Sequence, residues 1–190
     1  MSLIAQLAKG QELGQAFAQS HAAEQRGDLK LAIAALQGTK DNSYLVLLRL
    51  GYLHYSSGLA AEAMQYYQQA IKLRPFAIEP RLGMANAAAQ ANNWAQVQLQ
   101  YEAILRIDPN QTYVHYQLGM IKYNKKEYAN ALRHFEKVAN LYPADFDGMI
   151  MLAWTHFRLG KLKEAKVLFQ QVLWLRPNNA SALEGLSMIK

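Results

Sequence analysis

The five histidines, at positions 21, 54, 115, 134 and 156, are the residues of this 190-residue chain best suited to hold a metal or move a proton near neutral pH. Their spacing argues against both. His54 and His156 occupy equivalent places of a repeating pattern, but the equivalent places between them hold Ala88 and Lys122. His115 falls where a packing residue belongs, and His134 lies on a different predicted helix. No two share the close helical spacing of a metal site, so the sequence predicts partly buried structural histidines and no metal. Cysteine is absent, which removes disulfides, thiolate nucleophiles and cysteine-based zinc sites. The stretch "LGKLKE" (Leu159–Glu164) lacks the earlier glycine and the hydroxyl residue of a phosphate-binding loop. There is no G-x-S-x-G, no H-E-x-x-H and no paired acid/base constellation. No catalytic residue and no cofactor are expected.

Two N-x-S/T sequons, Asn110–Thr112 and Asn179–Ser181, lie in predicted turns, where asparagine is favoured in any case. Lys125, Lys126, Arg133, Lys137, Lys161, Lys163 and Lys166 form a basic concentration within a chain of formal net charge +6. That charge permits an acidic partner without demanding one. A solvated outer surface is the expected role, and nucleic-acid binding is not favoured; phosphate contacts would make binding steeply salt-dependent.

These side chains must be carried by something regular. Pro75, Pro109, Pro143 and Pro177 are each 34 residues from the next. Aligned on them, the chain divides into four units, 44–77, 78–111, 112–145 and 146–179. Place 8 of each unit is small (Gly51, Ala85, Gly119, Ala153), place 20 is small or short (Ala63, Val97, Ala131, Ala165), and place 24 is aromatic (Tyr67, Tyr101, Phe135, Phe169). Polar turns lie between places 8 and 20. Each unit therefore reads as two amphipathic helices of roughly fourteen residues, ~20 Å long, with proline ending the second. One such hairpin cannot bury its own apolar face, so neighbours must stack.

The segment "LGMIKYNKKEYANALRHFEKVANLYP" (Leu118–Pro143) resembles the tetratricopeptide repeat almost throughout, and the resemblance covers 44–179 in register. It implies an all-α fold, a right-handed α-α superhelix of stacked helix-turn-helix repeats. Residues 13–43 look like a degenerate shortened repeat after an N-terminal segment at 1–12, and 180–190 supply a capping or truncated helix. Arg81, Ala88, Ala89 and Val97 depart from the family pattern, so the repeat at 78–111 is expected to pack most loosely.

The resemblance also implies that the first helix of each repeat lines a concave groove. On this sequence the groove residues are Tyr52, Tyr55, Asn86, Gln90, Tyr113, Tyr116, Met120, Tyr123, Asn124, Trp154, Phe157 and Arg158. Tyr55, Tyr123 and Phe157 are expected to serve mostly in packing, and Tyr52, Tyr113, Tyr116 and Trp154 more in the groove. Small Ala89 marks a depression between Tyr55 and Tyr123. A carboxylate clamp for C-terminal tails is not expected, because Leu48, Tyr52, Tyr113 and Gln117 stand at its places.

The expected function is a non-catalytic scaffold holding a partner protein or peptide in this groove. Its alternatives are homo-oligomerisation through the groove, an acidic partner on the basic convex face, and service as the recognition arm of a larger protein. A composition 52% hydrophobic and 18% charged is that of a folded chain. Gln6, Lys9, Gln11 and Glu12 interrupt the apolar runs a signal peptide needs, and Met149–Trp154 is too short to span a bilayer. A soluble protein is expected, with cytoplasm and periplasm both open.

Overall fold

The computed structural model describes residues 3–189, which form eleven helices and, among those residues, no strand. Two compact units divide between Ile107 and Asp108. The first contains α1 (Leu3–Gln25), α2 (Leu29–Gln37), α3 (Tyr44–Ser56), α4 (Ala60–Leu73), α5 (Glu79–Gln90) and α6 (Trp94–Ile107). The second contains α7 (Thr112–Asn124), α8 (Tyr128–Leu141), α9 (Phe146–Arg158), α10 (Leu162–Leu175) and α11 (Ala180–Met188). Of the segment expected at 1–12, residues 1 and 2 lie outside the described residues, and the rest runs into α1 without a break. No helix among the described residues is long and apolar enough to cross a membrane.

The four periodic prolines act alike. α4, α6, α8 and α10 each end two residues before one of them, because the residue preceding a proline is pushed out of the helical region. The remaining proline, Pro80, sits in the first turn of α5, where its missing N–H costs nothing. Inside each hairpin the turn is made by one residue with positive φ: Gly27 (78°), Gly58 (77°), Asn92 (56°), Lys126 (61°) and Gly160 (75°). The N–H that follows then bonds five residues back, as in Leu59 N–H to His54 C=O at 2.9 Å and Glu127 N–H to Lys122 C=O at 2.9 Å. That 6→1 bond closes the helix end.

Packing follows from the aromatic at place 24. The ring of Tyr67, 4% exposed, lies so close to α3 that a Cβ on Gly51 would stand 2.8 Å from its Cδ1. A Cβ on Gly83 of α5 would overlap the same ring. In the second unit the fully buried Phe135 leaves a Cβ on Gly119 only 2.7 Å from its Cε1, and Phe169 excludes a side chain at Gly185 of α11. One ring thus holds a hairpin together and receives the next first helix. The small partner residue is a steric requirement.

Arg81, expected to loosen its repeat, is a tie instead. Its guanidinium donates to Gln100 Oε1 on α6 at 3.3 Å and to the Pro75 carbonyl at 2.8 Å. Gln100 is itself 5% exposed, so each buried polar group partly satisfies the other.

Two substitutions test this packing by chemical denaturation. Gly119→Leu must displace the Phe135 ring and is expected to cost ~1–3 kcal/mol or more. Lys126→Gly relieves a left-handed residue and is expected to add ~0.5 kcal/mol, the left-handed penalty less the greater freedom of unfolded glycine. Equal effects of the same sign would disprove the geometry.

Candidate functional site

Each unit carries a sizeable cavity that its first helices help to line. In the first unit a cavity of about 540 Å³ opens between α3 and α5, with α1 at its edge. Its floor exists because Gly83 has no side chain, which leaves the buried Tyr67 ring at the surface of the cavity. Its walls include Leu45, Leu48, Tyr52 and Asn86. Tyr52 is 43% exposed, Leu45 is 61% exposed and Asn86 is exposed. Apolar and amide groups therefore face solvent together.

Arg49 also lines this cavity. Its guanidinium bonds Glu24 of α1 at 2.5 Å and lies 5.4 Å from the Tyr52 ring centroid. The hydrogen bond from Arg49 holds the Glu24 carboxyl below its ordinary range. The buried Nε of Arg49 has no hydrogen-bond partner among the described residues. Arg49 stands at place 6 of its repeat, outside the groove places that the family resemblance implies, so sequence reasoning passed over it.

Two other expected groove residues of this unit are partly used internally. Tyr55 is half-buried against the cluster containing Ala63, Tyr67 and Met84. Gln90 is exposed, and its Nε2 lies 3.4 Å from the Tyr55 carbonyl. Ala89 is half-buried beside the fully buried Ala88.

The second unit has a cavity of about 800 Å³ between the start of α7, the end of α8 and the start of α9. Tyr113 and Tyr116 line it, as do Tyr142, Asp145 and Asp147 from the α8–α9 connection and the first turn of α9. Tyr113 is 49% and Tyr142 59% exposed. Tyr116 is half-buried, edge-on to Phe135 at 5.9 Å. Burial, with a lesser contribution from the Asp147 and Asp145 carboxylates, raises the Tyr116 phenol above its usual range. Asp145 caps α9, accepting from the Gly148 N–H at 2.7 Å.

The remaining expected groove residues lie elsewhere on this unit. Met120 and Tyr123 pack beside Phe135 and Ala131. Tyr123 meets Tyr128 edge-on at 5.2 Å, and its hydroxyl accepts from Arg158 Nε at 3.3 Å. Asn124 is exposed. Phe157 stands edge-on to Trp154 at 5.5 Å. Trp154 itself packs on Phe169 at 5.0 Å and donates its indole N–H to Ser181 Oγ of α11 at 2.7 Å. Expected mainly in the groove, Trp154 is tied to the final helix.

Two family models, each described as tetratricopeptide repeat, match the chain. One matches residues 54–120 and 124–187, and the other matches 17–78. Among curated proteins, the chain is 24% identical over 173 residues to anaphase-promoting complex subunit 7 of Arabidopsis thaliana, covering 85% of this chain and 30% of that protein. It is 26% identical over 143 residues to anaphase-promoting complex subunit 6 of the same plant, covering 70% and 26%. The chain thus spans under a third of the length of these relatives. Among solved structures, a tetratricopeptide repeat protein from Parabacteroides merdae ATCC 43184 superposes with a TM-score of 0.79 at 19% identity, covering 94% of this chain and 72% of that one. YrrB, described as a tetratricopeptide protein with an unusual peptide-binding site, gives 0.73 at 13% identity, covering 99% of each chain. MamA residues 41 to the end from Desulfovibrio magneticus RS-1 give 0.73 at 17%, covering 89% and 97%.

The histidines hold one arrangement that their spacing concealed. His115 of α7 and His134 of α8, 19 residues apart, place their Nδ1 atoms 3.0 Å from each other. His115 Nε2 lies 3.0 Å from the Pro109 carbonyl, which can only accept. His115 therefore donates from Nε2, and the two Nδ1 atoms share one proton between them. Among the described residues no third His, Asp or Glu joins them to form a metal-holding group. Burial above all, then His115 and Lys122, depress His134 to about 4. The depressed value means that its stabilisation is complete above the unfolded value near 6.5 and is lost as pH falls from there to about 4. His156, lowered chiefly by burial, acts in the same direction. The expected outcome is a fall in denaturation midpoint across that interval, with His134→Gln flattening the slope; an unchanged slope would show that His134 does not titrate with folding.

Proposed function

The chain belongs to the tetratricopeptide repeat family, and on that premise we propose that it is a non-catalytic scaffold that holds an extended segment of a partner protein against its first helices. The carrying observation is the cavity between α3 and α5, where Tyr52 and Asn86 flank an apolar floor. A buried ring supplies area, a half-exposed tyrosine supplies area with little entropy loss, and an amide can pair with the backbone of an extended chain. The peptide-binding site in the name of YrrB is in keeping with this. The basic residues suit a solvated face: Lys125, Lys126, Arg133, Lys161, Lys163 and Lys166 are exposed and Lys137 is half-exposed.

Self-association is the second reading, and Trp174 favours it, standing 77% exposed near the end of α10. Sedimentation over a range of concentrations separates the two, since only self-association makes the mass concentration-dependent.

The groove is tested on a partner recovered by co-purification and reduced to its binding segment. Tyr52→Ala and Asn86→Ala are expected to weaken it by ~1–3 kcal/mol each. Lys163→Glu with Lys166→Glu is expected to leave affinity nearly intact, with a modest loss of association rate. If the charge reversal abolishes binding and the groove variants retain it, the basic face is the site.

A further inference from the structure

In two of the four full repeats the chain stacks an arginine at place 31 on an aromatic at place 1, and in the repeat starting at Thr112 an aromatic stands at place 31 instead. At place 31 of the repeat beginning at Tyr44, the Arg74 guanidinium lies 4.6 Å from the centroid of Tyr44, at place 1. At place 31 of the repeat beginning at Phe146, the Arg176 guanidinium lies 3.9 Å from the centroid of Phe146. Of the two repeats between them, the one starting at Ile78 has Asp108 at place 31 and no aromatic at place 1, and the one starting at Thr112 has Tyr142 at place 31. The backbone is the same in all three: φ and ψ are −135° and 82° at Arg74, −134° and 79° at Tyr142, and −140° and 86° at Arg176. Each of the three N–H groups bonds the carbonyl four residues earlier. Only the side chains differ. A small hydroxyl residue replaces the aromatic, an aromatic replaces the cation, and the cavity of about 800 Å³ opens where the pair would close.

The charge of this cavity is equally informative. Its lining contains Asp145 and Asp147 and no lysine, arginine or histidine, although the chain as a whole carries +6. Asp145 is engaged as the cap of α9 and offsets the positive end of that helix. Asp147 is exposed beside it. Tyrosine faces and a carboxylate are what a flat, weakly hydrated cation needs.

We propose that the cavity formed by Tyr113, Tyr116, Tyr142 and Asp147 takes up the guanidinium of an arginine side chain carried by the partner. This rests on the scaffold reading and adds a chemical requirement to it: the bound segment presents an arginine. The guanidinium stacks on Tyr142 and pairs with Asp147, reproducing between two molecules the contact that Arg74 and Arg176 make within one.

The test uses the full chain and blocked alanine–glycine pentapeptides with a central arginine, lysine or citrulline, followed by amide chemical shifts. The arginine peptide is expected to shift residues of α7 and the start of α9 saturably, with lysine and citrulline ~10-fold weaker. Tyr142→Ala and Asp147→Asn, both exposed positions, are each expected to weaken arginine binding ~5–10-fold. Thr112→Phe with Tyr142→Arg supplies the internal pair and is expected to abolish it. Equal binding of citrulline or lysine, or undiminished binding by the double variant, overturns the site. A partner segment that depends on Tyr52 and Asn86 yet tolerates citrulline for every arginine overturns this site and spares the groove. Arginine binding here with no partner segment on α3 and α5 supports the site and removes the groove.

Discussion

The ring at place 24 is the contact on which the molecule depends. Tyr67, Phe135 and Phe169 each lie where a Cβ on the facing glycine would collide, so each ring sets the distance between helices by direct contact. Aromatic burial provides much of the apolar gain, and the absence of a side chain opposite makes the approach specific. The same contact also builds the site. Tyr67 is a packing residue on one side and the floor of a cavity on the other, because Gly83 leaves it uncovered.

Once the repeat geometry is uniform, the departures from it carry the individuality of the chain. Arg81 stands where a large apolar residue is usual and turns into a polar tie to Gln100 and the Pro75 carbonyl. Arg49 reaches from α3 to Glu24 of α1. Tyr142 stands on the backbone of an arginine. None of these alters the helices, since each changes a side chain at a position whose backbone is dictated by its neighbours.

This explains what could be read in advance. Helix ends were legible because proline and positive-φ residues act through the local backbone, and the small residues opposite place 24 were legible because their periodicity records a steric requirement. The His115–His134 contact was not, because spacing of 19 has no meaning on one helix and acquires it only when a hairpin folds back. Trp154 is expected in the groove from its place in the repeat; that Ser181 of a further helix accepts its N–H could not be read from that place. Arg49 and Tyr142 lie outside the places that the family resemblance marks. The signal for Tyr142 was present all the same: an arginine–aromatic pair stands at places 31 and 1 in two repeats and is absent from the other two, one of which carries Tyr142 in place of the arginine.

The hairpin turns have a consequence for how such a chain comes apart. Each is closed by local bonds spanning five residues, and the rings of Tyr67 and Phe169 press on the first helix of the next hairpin or the helix that follows. Cohesion is therefore passed along from neighbour to neighbour. Within a unit, loss of order travels as a front that advances one hairpin at a time, beginning where a hairpin has a single neighbour. The nine-residue α2 and the nine-residue α11, against fourteen residues in α4, offer such a front little resistance. Protease or pulling force would meet a series of separate small barriers.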